Sequence, residues 1–171
     1  HPNYRVVMSK CVSIRQLLDC SEAEFWERIF RGEEFNQYLY EGLGFEYELL
    51  EWNPETGYRR AKVWPTHHMP KAIKRVLGER FSYIEEGTFN PAERRYEFQV
   101  IPSSMPERIR VRGTLMVEPV SPTQCERHVD IEIGADVLGL GRLIESYFAA
   151  TTREQYAKNA ALVNEYMAEI H

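Results

Sequence analysis

The side chains of this sequence that could do chemistry are few and scattered. His67 and His68 are adjacent and are followed by Met69-Pro70. Neighbours on a strand point to opposite faces, so the two are not expected to share a metal ion. No HxH or HExxH spacing occurs, and neither a metal nor a cofactor is expected. One histidine beside Tyr83 or Glu85 would serve as an acid or base if both faced a cavity. Ser103, Ser104 and Ser121 stand near prolines in turns, without the Gly-x-Ser-x-Gly elbow of a hydrolase. Gly139-x-Gly141 lacks the third glycine of a dinucleotide fingerprint, because position 144 is Ile. Its small residues are expected to let a helix approach a sheet. Cys11, Cys20 and Cys125 include no CxxC pair, which gives neither a disulfide framework nor a zinc motif. A reducing, cytoplasmic setting is the simpler expectation. No catalytic residue is assigned.

What the chain has in quantity is aromatic surface. Three Trp, ten Tyr and eight Phe make up 12% of it, enough to line a core or a cavity with large flat rings. The 171 residues fit one domain, 1–171. Lys and Arg number 21 against 26 Asp and Glu, and a formal charge of −5 argues against nucleic acid as a partner. No apolar run is long enough to span a bilayer. The first twenty residues lack the apolar core and small-residue cleavage site of a signal peptide.

The elements that must position these residues follow from periodicity. Residues 4–18 read as a first strand. Ser21 with Glu24 forms a capping box that opens a helix reaching Phe30. A second short helix runs from Glu33 to Tyr40 and is expected to stop at Gly42 and Gly44. The period then changes to two. Phe45, Tyr47 and Leu49 lead into the Asn53–Gly57 turn, and 58–66 returns as the partner strand. A short basic amphipathic helix spans Pro70 to Leu77, ended by Gly78. Strands follow at 81–89, around Tyr96-Phe98-Val100, at 109–117 and at 129–135. Arg108, Arg110 and Arg112 form a basic ladder, and Asp130, Glu132 and Asp136 an acidic one. Paired across an outer sheet face, such charges contribute roughly 0.2–1 kcal/mol each. Leu138 to Ile170 is one long helix, its stripe marked by Leu140, Leu143, Ile144, Tyr147, Phe148 and Thr151. Helices segregated from strands indicate α+β, with an antiparallel sheet of about six to seven strands, one face of it solvated.

This order resembles the helix-grip fold of the START and birch-pollen-allergen-like (SRPBCC) superfamily, over residues 4–170. Met69 to Gly78 followed by Phe81-Ser82-Tyr83-Ile84-Glu85-Glu86 resembles text in PRELI-like lipid-transfer domains and in an uncharacterised bacterial START-like family. Gly139 to Glu145 is similar to the entry of their final helix. The resemblance implies a cavity between a curved sheet and the C-terminal helix. Its expected lining is Tyr47, Trp64, Tyr83, Phe98, Val111 and Ile131 from strands, with Ile144 and Phe148 from the helix. The implied partner is a hydrophobic small molecule or lipid. It would be admitted by opening near Trp64–Pro70 or Gly139, with 70–77 touching a membrane surface transiently. Two other readings stand beside this one. One is an aromatase/cyclase-like enzyme using cavity His, Tyr or Glu; the other is an interaction module with a filled core.

Overall fold

The computed structural model describes residues 9–66 and 68–171. The expected strand segment at 4–8 and His67 lie outside the described residues. β1 is Lys10–Leu18. Ser21 then caps α1, Glu22–Glu24, with both reciprocal hydrogen bonds of the capping box formed. The helix continues as a π-helical stretch over Phe25–Phe30, where the wider winding buries Phe25, Trp26 and Ile29. α2 spans Glu33–Leu43, three residues beyond the expected end, and stops at Gly44 in the left-handed conformation (φ 73°). Gly42 is therefore no terminator. A Cβ there would stand 2.9 Å from a methyl of Leu162, so the glycine lets α2 lie close against the long helix.

β2 (Glu46–Asn53) and β3 (Tyr58–Trp64) form the expected hairpin, and α3 is Lys71–Leu77. β4 is Tyr83–Asn90, β5 Arg95–Pro102, β6 Ile109–Ser121 and β7 Gln124–Ala135. β4 starts two residues later than the periodicity predicts; Phe81 and Ser82 precede it. The seven strands form one antiparallel sheet ordered β1-β7-β6-β5-β4-β3-β2. α4, Gly141–Ile170, completes a helix-grip fold.

Burial separates the two faces of the sheet. In β3 and β7 alternate residues are buried, namely Arg59, Ala61 and Val63, and Cys125 through Ala135. Pairing carries one phase across the sheet: Arg59 opposite Gly87, Gly87 opposite Phe98, Phe98 opposite Gly113, and Gly113 opposite Ile131. This is the concave face, and it holds the main core with Phe25, Phe35, Leu39, Val163 and Met167. A smaller core of Ile73, Leu77, Phe81, Ile109, Ala135 and Ile144 closes one end beneath α3.

On the convex face the two charge ladders meet only in part. Arg112 is opposite Glu132, at 4.0 Å. Arg110 faces Gly134, and Asp130 binds Ser13 instead. At the entry to α4, Gly139 supplies a turn with φ 76°, while a Cβ at Gly141 would stand 2.5 Å from the carbonyl oxygen of Ala135. Gly141 is thus the close approach of helix to sheet that the sequence implies.

Candidate functional site

The buried positions of α4 are Ile144, Glu145 and Ala149, and then Val163, Tyr166 and Met167. The gap between these two groups is the informative part. Thr151, Gln155 and Asn159, spaced four apart, line one helix face with Thr152 and Tyr156. Under this polar stretch the sheet and helix do not close. An outer chamber of about 150 Å³ lies between them, walled by Leu43, Phe81, Tyr83, Phe98, Val100, Val111, Ile131 and Phe148. An inner chamber of about 100 Å³ continues from it. Leu39, Tyr40, Glu85, Phe98, Tyr156 and Asn159 line both.

Of the eight expected lining residues, five meet in the outer chamber: Tyr83, Phe98, Val111, Ile131 and Phe148. Three do not. Trp64 pairs with Glu46 and alternates with fully buried Val63, so it belongs to the convex face, where Lys62 covers its ring at 4.8 Å. Ile144 is fully buried in the smaller core, one turn before the chamber begins. Tyr47 is on the concave side, but it stacks on Tyr40 (ring centroids 4.4 Å apart) and accepts a 2.6 Å hydrogen bond from Arg59. It acts on the cavity only through those two residues.

The polar equipment is concentrated in the inner chamber. Glu85 faces both chambers and accepts a 3.1 Å hydrogen bond from the Tyr96 hydroxyl. Arg59 is 7% exposed, and Tyr47 lies beneath its guanidinium. Burial opposes the Arg59 charge, but the Glu85 carboxylate and the surrounding tyrosines outweigh it and raise its pKa. Burial first, and the Glu85 charge after it, push Tyr83, Tyr96 and Tyr156 well above the usual tyrosine value. Each therefore stays a neutral hydroxyl that can donate or accept. Arg127, on β7, completes the set; it donates to Asn159 Oδ1 at 2.6 Å and to Gln16 Oε1.

Arg59, Tyr96, Arg127, Gln155 and Asn159 had no place among the expected lining. The signal for the two arginines was present, since each occupies the apolar phase of a strand alternation: Arg59 with Ala61 and Val63, Arg127 with Val129 and Ile131. His68 is exposed in the loop between β3 and α3. It lines a surface depression with Thr66 and Pro70 that shares Leu43, Thr151 and Gln155 with the outer chamber. Away from the cavity, Glu118, Glu126 and His128 bring three donor atoms within 4.8 Å of one another, and the His128 ring lies against the Glu126 carboxylate.

Similar architectures occur among solved structures. The Zhui aromatase/cyclase from Streptomyces sp. R1128 superposes with a TM-score of 0.68 at 12% identity, covering 93% of each chain. Norcoclaurine synthase from Thalictrum flavum, solved with dopamine and hydroxybenzaldehyde, gives 0.65 at 12% identity over 95% of this chain and 88% of that one. A START superfamily protein from Mycobacterium smegmatis gives 0.62 at 13% identity over 92% and 98%. At these identities the likeness establishes the START-like fold. No curated protein matches the sequence. The family model that does match spans residues 15–167, from β1 to the last turn of α4, and the chain belongs to the family it describes, Protein of unknown function (DUF2505).

Proposed function

We propose that this protein binds a small amphipathic molecule between the sheet and α4, and carries it. The apolar body would occupy the outer chamber. The polar end would reach the inner one, where Glu85, Arg59, Tyr96 and Arg127 gather. The observation that carries this reading is the break in the α4 stripe. Polar residues stand over open space where a filled core would require apolar ones. Burial of the apolar body supplies the affinity, at about 25 cal/mol per Å² removed from water. The chambers also argue against the interaction module with a filled core.

Native mass spectrometry of protein purified from cells tests this. A small molecule that co-purifies and is released on unfolding supports carriage. Val111→Trp, which fills the outer chamber, should abolish it. Clean apoprotein in every preparation would count against it.

Transient docking on an anionic lipid surface fits one end of the molecule. Leu138 is 99% exposed at the entry to α4, and Lys74, Arg75, Arg108 and Arg142 are exposed cations on or beside the elements that share the smaller core. Co-sedimentation with vesicles containing phosphatidylglycerol, lost in Leu138→Asp, checks it. The aromatase/cyclase reading keeps one supporting observation, that Glu85 faces the cavity beside Tyr83 and Tyr96. A ligand recovered with altered mass, in a manner dependent on Glu85, would favour catalysis over carriage.

A further inference from the structure

Arg127 is 2% exposed, and its guanidinium has only neutral hydrogen-bond partners among the described residues. It donates to the amide oxygens of Asn159 and Gln16, and Tyr156 lies 5.2 Å away beneath it. Its Nε is buried and has no hydrogen-bond partner among the described residues. The ionisable groups that act on it are a phenol and two buried thiols, Tyr156, Cys125 and Cys20. No described carboxylate pairs with it. Burial accordingly pushes its pKa down to about 10, which still leaves it charged at neutral pH.

A buried charge without a counter-ion is costly, and native proteins pair such groups. Here the unpaired cation lines the inner chamber. That chamber contains two guanidiniums, Arg59 and Arg127, and one carboxylate, Glu85, whose charge raises the Arg59 pKa. One positive charge is left over, next to a chamber whose walls are largely apolar.

We infer that the inner chamber is an anion subsite, and that the ligand is an apolar or aromatic monocarboxylic acid whose carboxylate docks against Arg127. The inference rests on the carriage reading and deepens it. Guanidinium and carboxylate match in shape, and Nε is one of the donors a side-on pair would use. The chamber's 100 Å³ suits a carboxylate and its first carbons; the ring or chain would lie between Phe98, Val111 and Phe148.

The test uses two probes of one skeleton, 4-phenylbutyric acid and 4-phenylbutan-1-ol, titrated calorimetrically into the full chain at pH 7. The acid should bind more tightly than the alcohol, by roughly thirtyfold or more. Arg127→Gln should remove that preference, bringing acid and alcohol to similar affinities. Arg127→Lys, which keeps the charge without the fork, should retain part of it. The comparison on the wild-type chain stands even if a variant fails to fold. Equal affinity for acid and alcohol would overturn the anion subsite while leaving the cavity reading intact. Binding of neither probe would overturn both.

Discussion

A methyl group added at Gly113 would stand 2.5 Å from Cζ of Phe98 and 2.9 to 3.0 Å from its ring edges. Ordinary contact begins near 3.4 Å, so the ring would have to withdraw by about 1 Å toward the cavity. A methyl at Gly87 meets a different obstacle: the carbonyl oxygen of Glu97 at 2.4 Å and Phe98 Cβ at 2.7 Å. That is backbone and the root of a side chain, and neither can swing away. Neither glycine has positive φ, so alanine is otherwise tolerated and gains about 0.4–1 kcal/mol through the unfolded chain. Overpacking costs about 1–3 kcal/mol. The expected net losses are about 0.5–2 kcal/mol for Gly113→Ala and about 1.5–2.5 kcal/mol for Gly87→Ala. For a chain of this length, those correspond to falls in Tm of roughly 1–8 °C and 3–10 °C. Phe98→Leu removes Cζ but keeps Cβ. It should therefore erase the penalty of Gly113→Ala and leave that of Gly87→Ala intact. Thermal unfolding followed by circular dichroism, on the single and double variants, reads both couplings. An unchanged Gly113→Ala penalty in the Phe98→Leu background would refute the seating of Phe98 over Gly113, and with it the shape of the cavity floor.

Further outcomes concern pH, the first helix and the thiols. Tyr83, Tyr96 and Tyr156 have folded pKa values raised above the ordinary 10.0, chiefly by burial, so the folded chain holds more protons than the unfolded one above that pH. Their contribution to stability is complete below pH 10 and is lost as pH rises further. Tyrosinate absorbance should lag behind that of the unfolded chain and rise together with unfolding; free titration of all ten tyrosines near pH 10 in the folded protein would contradict it. Ser21→Ala should cost about 1 kcal/mol, since it removes one half of the capping box. The amide of Ser21 holds the Glu24 carboxyl below its ordinary 4.5, so that half of the cap is complete above pH 4.5 and fails below it. The Tm difference between wild type and Glu24→Gln should narrow in acid, and a constant difference would argue against the box. Among the thiols Cys11 is exposed, whereas Cys20 and Cys125 are buried with sulfurs 3.9 Å apart. Iodoacetamide should add one group to the native chain and three after unfolding, counted by intact mass.

The fold was legible because its signals are local and repeated. Period-two alternation in β3, β6 and β7 follows from one-sided burial, and the Ser21–Glu24 box marks a helix start in four residues. The apolar wall of the site was legible for the same reason, since Phe98, Val111 and Ile131 share the buried phase of neighbouring strands. Trp64 was misread because its size suggests burial, while the phase set by Val63 places it outside. Ile144 was misread because a stripe shows which helix face is buried, but not how far along the helix a void begins. Of the polar end, Glu85 was legible as a candidate, but Arg59 and Arg127 were not, because a charge on an apolar phase reads as an irregularity until pairing brings β3, β4 and β7 together. Gly42 has the composition of a helix stop, and only the approach of Leu162 reveals its other use.

The most direct test of the account is a crystal structure of the protein as purified, with no lipid-removal step. The account predicts density bounded by Tyr83, Phe98, Val111 and Phe148 beneath the polar stretch of α4, its polar end reaching toward Arg127. Phe98 and Phe148 turned inward to fill both chambers, with α4 resting on the sheet along its whole length, would contradict it.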